Sequence, residues 1–585
     1  MAAAAAADDG PLYLGFDLST QQLKAIVVGP DLKAVARAHI DFDADFDPAY
    51  GISKGVHVRP STGQVYAPVA LWLESLDLVL TRLGATGVRL ARVRGIAGAG
   101  QQHGSVYWND AAEVRLAALD PARPLREQLA PALAHPWSPN WQDQSTQAEC
   151  DAFDTALGGR ERLAHVTGSG AHHRFTGPQI MRLRRVHPDV YASTARISLV
   201  SSFLASVLLG HLAPLDTGDV CGMNLWDMEQ QCWSPALLSL AAGGDAAAAH
   251  LRRMLGEPCL DGGQPLGRVA GYFAARYGFR TDCQVLPFTG DNPATLLALP
   301  LRPGDAIVSL GTSTTFLMHA TARAPDGAYH FFNHPTTPGH YMFMLCYKNG
   351  GLARERVRDA LPGAGGGGDW AAFDKAVVDT PPLGQDSVGD EGRAKMGLYF
   401  DLRETVPNIR AGTWRFTCAA ADGSDLREED AAVAGARGWS ASVDARLIVE
   451  SQALSMRLRA QKLLRGDDDR LLPAQPRRIY LVGGASHNAA IAATLGSVLG
   501  GTDGVYRLDV GGDACALGGA YKALWALERR GPDQTFDDLL AARWQEEGAI
   551  EKVDVGYRKG TYEKYGNVLG AFEEMESRLL AEEKQ

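Results

Sequence analysis

Hydrophobic and polar positions alternate in the first patterned stretch. Leu12, Leu14 and Phe16 oppose Tyr13, Gly15 and Asp17, the two-residue period of a strand. A small polar turn, Leu18-Ser19-Thr20-Gln21-Gln22, leads to a second apolar run from Lys24 to Val28, which predicts a strand, turn, strand unit. Nearly the same unit recurs at Ala306 to Leu310, Gly311 to Thr314 and Thr315 to Met318. Two such hairpins, each opening half of the chain, predict an internally duplicated architecture. Leu- and Ala-rich segments at Val69 to Leu83 and Pro178 to Val186 read as helices, and Arg94 to Ala97 and Val106 to Trp108 as strands; the mixture places the chain in the α/β class. A strand at Ile479 to Val482 runs into Gly483-Gly484-Ala485-Ser486-His487-Asn488 and then a helix whose Ile491, Leu495 and Leu499 share a face. Gly511-Gly512-Asp513 opens one more helix, small-residued through Ala520, and a charged amphipathic helix, roughly Tyr562 to Glu582, closes the pattern.

One short stretch carries chemistry within this pattern. Val285 to Phe288 reads as a buried strand and Ala294 to Leu297 as a helix start, so Gly290-Asp291-Asn292-Pro293 puts a lone carboxylate at a strand-to-helix turn. A carboxylate there suits a base that takes a proton from a substrate hydroxyl. The competing role is a helix cap with proline at the first helical position, contributing about 1 kcal/mol.

Composition narrows the classes of function. At 585 residues the chain exceeds one core and divides into two large domains with smaller insertions. A net charge of −11 argues against a nucleic-acid surface, which needs clustered Lys and Arg, and leaves a small polar substrate or nucleotide compatible. Eight scattered cysteines, without a C-x-x-C pair, predict reduced thiols in a cytoplasmic protein. Met1 to Gly10 has neither a basic n-region nor Arg/Ser richness, so residues 1–11 are expected to be a disordered tail. Ile197 to Ala213, the most apolar span, holds four serines and a histidine and is predicted as a buried core helix, with no membrane partner. Leu361 to Asp369 and Ala419 to Ser440 look like surface insertions. The first contains a formal G-x-G-x-x-G at Gly363 to Gly368 that no strand precedes, which excludes a dinucleotide site.

No G-x-x-x-x-G-K-[ST] sequence occurs, so phosphate binding must come from elsewhere. Turns of Gly, Ser and Thr offer it, because small residues let backbone N–H groups and hydroxyls approach phosphate oxygens. Thr20 and Gln21 in one turn and Gly311 and Thr312 in the other are the candidates. Asp17, at the end of its strand, is placed to order Mg²⁺ or its waters.

Leu14-Gly15-Phe16-Asp17-Leu18-Ser19-Thr20-Gln21-Gln22-Leu23-Lys24, Ser309 to Ser313, and Gly483 to Asn488 resemble the phosphate-1, phosphate-2 and adenosine motifs of the FGGY carbohydrate kinases. The likeness runs from about Leu12 to about Ala526. Within the family it is strongest to the eukaryotic xylulose kinases, through Gly98 to Trp108, Arg174 to Ile180, Ile197 to Phe203, Gly222 to Leu225 and Gly290 to Pro293. The resemblance implies two actin/hexokinase-like (ribonuclease H-like) domains flanking a catalytic cleft: residues 12–295 for the sugar, 296–530 for the nucleotide, and 531–585 as a mostly helical extension. It implies that His103, Arg174, Asp291 and Asn292 contact a ketose, with Asp291 as general base. Trp370, Gly483, Gly484, Ala485 and Asn488 would line the nucleotide, and Asn224 is a further candidate for the sugar. ATP and Mg²⁺ are the implied cofactors, and D-xylulose, phosphorylated at its 5-hydroxyl, the implied acceptor. A hinge near residues 290–305 would close the domains and exclude water, in a monomer or homodimer. Ser19 stands where many members have glycine and Thr314 where an acidic residue is common, changes that tune the phosphate and metal sites. Ribulose, another ketose, a polyol or glycerol as acceptor, an actin- or Hsp70-like ATPase, and a non-catalytic sugar sensor are the alternatives.

Overall fold

The structure is a computed structural model that describes residues 10–46, 48–362, 368–385, 392–430, 439–463, 475–508, 512–531 and 533–583. Most of the expected tail, most of the G-x-G-x-x-G run and part of each expected insertion lie outside the described residues. The chain forms two compact units, and the strands and helices together are of the expected α/β class.

The first unit comprises residues 1–301, 325–342 and 513–544. Its sheet runs in the order Gly267–Arg268, Gln284–Val285, Val93–Gly100, Leu12–Leu18, Gln22–Val28 and Ala34–Asp41. Leu12–Leu18 pairs antiparallel with Gln22–Val28, as the hairpin pattern predicts, and parallel with Val93–Gly100. Thr289–Gly290 also joins Val93–Gly100 in parallel, with Gly290 opposite Gly100. The predicted strand over Val285 to Phe288 is therefore split. Pro287 has no N–H to give a ladder, and pairing resumes only at Thr289. Three parallel strands thus end side by side, at the edge where open α/β sheets place their ligands. The register carries Asp17, Gln101 to His103, and Asp291 to that one edge.

The helix Ala514–Glu528 covers this sheet. A Cβ on Gly15 would lie 1.8 Å from the Ala516 carbonyl oxygen, and one on Gly519 2.7 Å from Gly98 Cα, so helix and sheet meet backbone to backbone. Both faces of Leu12–Leu18 are buried as a result. The expected boundary at residue 530 assigned this helix to the nucleotide domain; packing places it on the first unit. Ile197 to Ala213 also departs from expectation. Arg196–Leu199 is a strand paired with Ser105–Trp108, and only Val200–Leu209 is helical, ending at Gly210 with φ of 74°.

The second unit comprises residues 302–324, 343–512 and 545–585. It repeats the hairpin plan. Ala306–Leu310 pairs antiparallel with Thr314–Ala320 and parallel with Arg478–Val482, which pairs parallel with Gly504–Leu508. The 20-residue helix Ala441–Ala460 packs beneath, pinned by buried Arg446 and Arg459, whose partners Tyr565 and Glu576 come from the terminal helices Thr561–Asn567 and Leu569–Glu582. The expected closing helix is thus two helices docked on this unit. No helix among the described residues is long and apolar enough to cross a membrane.

Candidate active site

At the ligand edge of the first unit, His103 follows the strand Val93–Gly100 in a left-handed conformation with φ of 73°, a strained state for a residue bearing a Cβ. Its Nδ1 lies 3.0 Å from the Gly222 carbonyl oxygen, while its own carbonyl accepts from Thr176 Oγ1 at 3.1 Å. A carbonyl can only accept, so Nδ1 carries the proton and Nε2 presents a lone pair. Burial, aided by the Arg174 charge, holds the imidazole well below its ordinary pKa and therefore neutral. The neutral His103 ring thus turns an acceptor, Nε2, away from the Gly222 carbonyl. The ring stacks on Phe175 with centroids 4.5 Å apart.

Gly290 admits the neighbouring turn. A Cβ there would fall 2.4 Å from Gln102 Cγ and 2.7 Å from Asp219 Oδ1. The helix here begins at Asp291, three residues before the expected start at Ala294, with Gly290 at its N-cap, so Asp291 opens the short helix Asp291–Leu296 without capping it across a turn. Its Oδ1 accepts from the Asn292 backbone N–H at 2.8 Å and from Asn292 Nδ2 at 3.0 Å, and Asn292 Nδ2 also reaches Gln102 Oε1 at 2.9 Å. Burial pushes the half-buried Asp291 carboxyl up to about 6, against the pull of the Asn292 and Gln102 backbone donors and the Arg174 charge. Arg174 is buried beside Phe175 and its charge is felt by His103 and Asp291 alike, so the structure brings these three together with Asn292.

Asp17 lies opposite Lys24 in the first hairpin. It is buried, its Oδ1 has no hydrogen-bond partner among the described residues, and burial raises its carboxyl to about 7 despite Lys24. A buried carboxylate oxygen without a donor is costly unless a cation or water completes it. In the turn beyond it, Thr20 Oγ1 accepts from Trp141 Nε1 at 2.9 Å and Gln21 is exposed. Asn224, also at positive φ, spends its Nδ2 on Thr167 Oγ1 and the Ser169 carbonyl, each at 3.1 Å. Its amide therefore braces the wall of this edge.

The second unit gathers the remaining candidates. Gly311 and Thr312 are exposed at the tip of their hairpin, whose Gly311 N–H bonds Ser313 O at 3.1 Å. Gly483, with φ of 87°, turns the chain next to Leu310, bringing the third glycine element beside that hairpin. No atom lies within 4 Å of a Cβ built on Gly484, so its face is open. Asn488 caps the helix Ala489–Leu499 through Ile491 N at 2.9 Å, and its Nδ2 donates to Asp374 Oδ1 at 2.5 Å. Asp374 belongs to the helix Ala371–Asp379, which Trp370 precedes; Trp370 lies under the Arg358 guanidinium at 4.7 Å.

Residue patterns alone missed three groups. Asp219 is buried, accepts from Ser201 Oγ at 2.5 Å, and is raised to about 7 by burial. Lys522 pairs with Asp216 at 3.0 Å with neither side chain exposed. His330 is the third. Asp219 adjoins the Gly222 to Leu225 segment and was findable there; Lys522 and His330 carried no local signal.

Sequence models of the FGGY family of carbohydrate kinases match the chain twice, the N-terminal domain over residues 138–298 and the C-terminal domain over 306–527. The chain is 58% identical over 578 residues to a protein of Aspergillus fumigatus named "Probable D-xylulose kinase A", covering 98% of this chain and 99% of that one. It is 55% identical to "D-xylulose kinase A" of Aspergillus niger, over 98% and 99%. The fold is shared with the crystal structure of xylulose kinase from Rhodospirillum rubrum, at a TM-score of 0.72 and 19% identity over 98% and 100% of the two chains. The two domain matches, in order, and these full-length relatives leave one conclusion: the chain belongs to the FGGY family of carbohydrate kinases.

Proposed function

We propose that this kinase transfers the γ-phosphoryl group of ATP to the 5-hydroxyl of D-xylulose, giving D-xylulose 5-phosphate and ADP. The observation that carries the substrate is full-length identity of 55–58% to proteins named D-xylulose kinase A. Phosphoryl transfer depends mainly on positioning and charge stabilisation, so the residues divide the work. Asp291 takes the hydroxyl proton. With its carboxyl at about 6 it is ionised at neutral pH and more basic than an ordinary aspartate. Arg174 and Asn292 donate to sugar oxygens, and His103 Nε2 accepts from a sugar hydroxyl.

On the nucleotide side, Gly311 and Thr312 offer backbone and hydroxyl donors to phosphate, as do Thr20 and Gln21 in the first hairpin. Gly483, Gly484, Ala485, Asn488 and Trp370 line the adenosine; the open face of Gly484 and the Asn488 link to Asp374 support this. Mg²⁺ fits Asp17. The partnerless buried Oδ1 would hold the ion together with waters and phosphate oxygens, since no cluster of three or more His, Cys, Asp or Glu occurs among the described residues. Bound there, the ion supplies positive charge to the phosphate oxygens. Eight free cysteines support residence in the reducing cytoplasm.

A coupled ADP-release assay over D-xylulose, ribulose, other ketoses and glycerol tests the proposal. The expected result is the highest kcat/KM for D-xylulose. Turnover that no sugar stimulates would refute the kinase role, and a higher kcat/KM for another acceptor would refute the substrate.

A further inference from the structure

His330 lies in a stretch, residues 325–342, that follows the first hairpin of the second unit in sequence yet belongs to the first unit. The stretch is stitched there at several points. Gly327 N–H donates to Glu161 Oε2 at 3.0 Å, Phe331 N–H to the Gly168 carbonyl at 2.8 Å, and Asn333 N–H to Cys221 Sγ at 3.4 Å. A Cβ on Gly168 would lie 2.0 Å from the Phe331 carbonyl oxygen, so the two segments touch at their backbones.

This docking brings the His330 ring against Phe175 and parallel to Phe332, with centroids 5.2 and 6.0 Å away. His330 Nε2 stands 2.8 Å from Arg174 Nη2, and its Nδ1 stands 3.1 Å from Ser169 Oγ. A guanidinium only donates, so Nε2 must accept and the ring proton must sit on Nδ1, directed at Ser169. Burial, then the Arg174 charge, keeps the ring neutral, as that acceptor role requires.

We infer that His330 is a positioning residue of the sugar site, a neutral Nδ1–H imidazole that anchors one end of the Arg174 guanidinium. The inference rests on the reading that Arg174 contacts the ketose. Arg174 is a long side chain with several rotatable bonds whose freedom would be lost on binding; a buried acceptor on a stacked ring restrains it before the sugar arrives. The planar fork then presents its other donors in one orientation. The sugar site is therefore built by a segment from beyond the first family-domain match, which ends at residue 298.

Three variants separate the possibilities. His330→Phe keeps an aromatic ring against Phe175 and Phe332 but deletes the acceptor. His330→Gln returns an acceptor near the Nε2 position. For His330→Phe the expected result is a rise in KM for D-xylulose of about 10- to 100-fold, with KM for ATP within about twofold of the parent and a smaller fall in kcat. His330→Gln is expected to keep KM for D-xylulose within about threefold. Arg174→Ala calibrates the underlying reading. If it leaves the D-xylulose KM unchanged, the Arg174 contact itself is overturned. If it impairs sugar binding while a folded His330→Phe does not, the positioning role alone is overturned, as it is if His330→Gln loses as much as His330→Phe. Nitrogen-15 NMR of the imidazoles in the unmutated enzyme at pH 7 tests the same point without a core substitution. A neutral Nδ1–H tautomer is expected at His330, and an Nε2–H tautomer or an imidazolium there overturns the inference.

Discussion

Replacing Asp291 by asparagine should disable the enzyme and stabilise it. In the folded protein, burial raises this carboxyl from an ordinary 3.8 to about 6. That rise corresponds to about 3 kcal/mol between the two protonation states. The sign follows from its direction. The folded state holds the proton more tightly, so the associated stability is complete below about pH 3.8 and is lost as the pH climbs through 6. At pH 8 the ionised carboxylate therefore costs the fold up to about 3 kcal/mol, a cost the neutral asparagine does not impose. Asparagine keeps an oxygen for the Asn292 N–H, so the local turn survives. The variant should unfold at a temperature a few °C higher at pH 8 and show no such gain at pH 4. Its kcat should fall by about 10²- to 10⁴-fold, the share of a positioned general base. The parent enzyme should lose kcat/KM for D-xylulose about tenfold per pH unit below about pH 6, and this limb should be absent from the residual activity of the variant. Thermal unfolding at both pH values, with steady-state turnover from pH 5 to 8, decides the matter. Turnover above a tenth of the parent, or a variant no more stable at pH 8, would refute the assigned base or the cost of its charge.

Lys522→Met leaves Asp216 buried without its cation and should destabilise the first unit by about 3–5 kcal/mol, whereas Lys522→Met with Asp216→Leu should recover much of the loss; denaturant unfolding checks both. Gly15→Ala drives a Cβ into the Ala516 carbonyl and should cost about 3 kcal/mol or prevent soluble expression, read as melting temperature and yield. Gly484→Val points into open space, so the melting temperature should hold while KM for ATP rises at least about tenfold and KM for D-xylulose does not change. Chelation by EDTA should abolish turnover while leaving D-xylulose binding by calorimetry intact, and Asp17→Asn should raise the Mg²⁺ concentration needed for half-maximal activity.

Much of the site was legible in the residues because its parts are local. The hairpins at Leu12–Val28 and Ala306–Ala320, the glycine turn after Val482 and the strand-to-helix placement of Asp291 are set by side-chain alternation, small turn residues and a proline, all within a few positions of one another. The one glycine between Leu14 and Lys24, Gly15, serves packing instead: its missing Cβ leaves room for the Ala516 carbonyl of a helix some 500 residues away. Extended local patterns were less secure. Ile197 to Ala213 has the composition of one helix, but a strand partner at Ser105–Trp108 claims its first residues, and that partner is distant in sequence.

The α/β class, the duplicated hairpins, the kinase motifs and the candidate base can all be read from the order of the residues. Tertiary structure alone decided which protons those residues hold and which unit their supports belong to. His103 became an acceptor because Gly222, 119 residues away, occupies its Nδ1. Asp291 rose to about 6 because neighbours from separate strands exclude water around it. The helix Ala514–Glu528 joined the first sheet because Gly15, Gly98 and Gly519 let backbones meet, and His330 reached Arg174 across 156 residues because its strand docks on Gly168. Local pattern encodes backbone conformation through short-range sterics and periodicity. Protonation and support depend on desolvation and contact, which exist only once distant segments have packed.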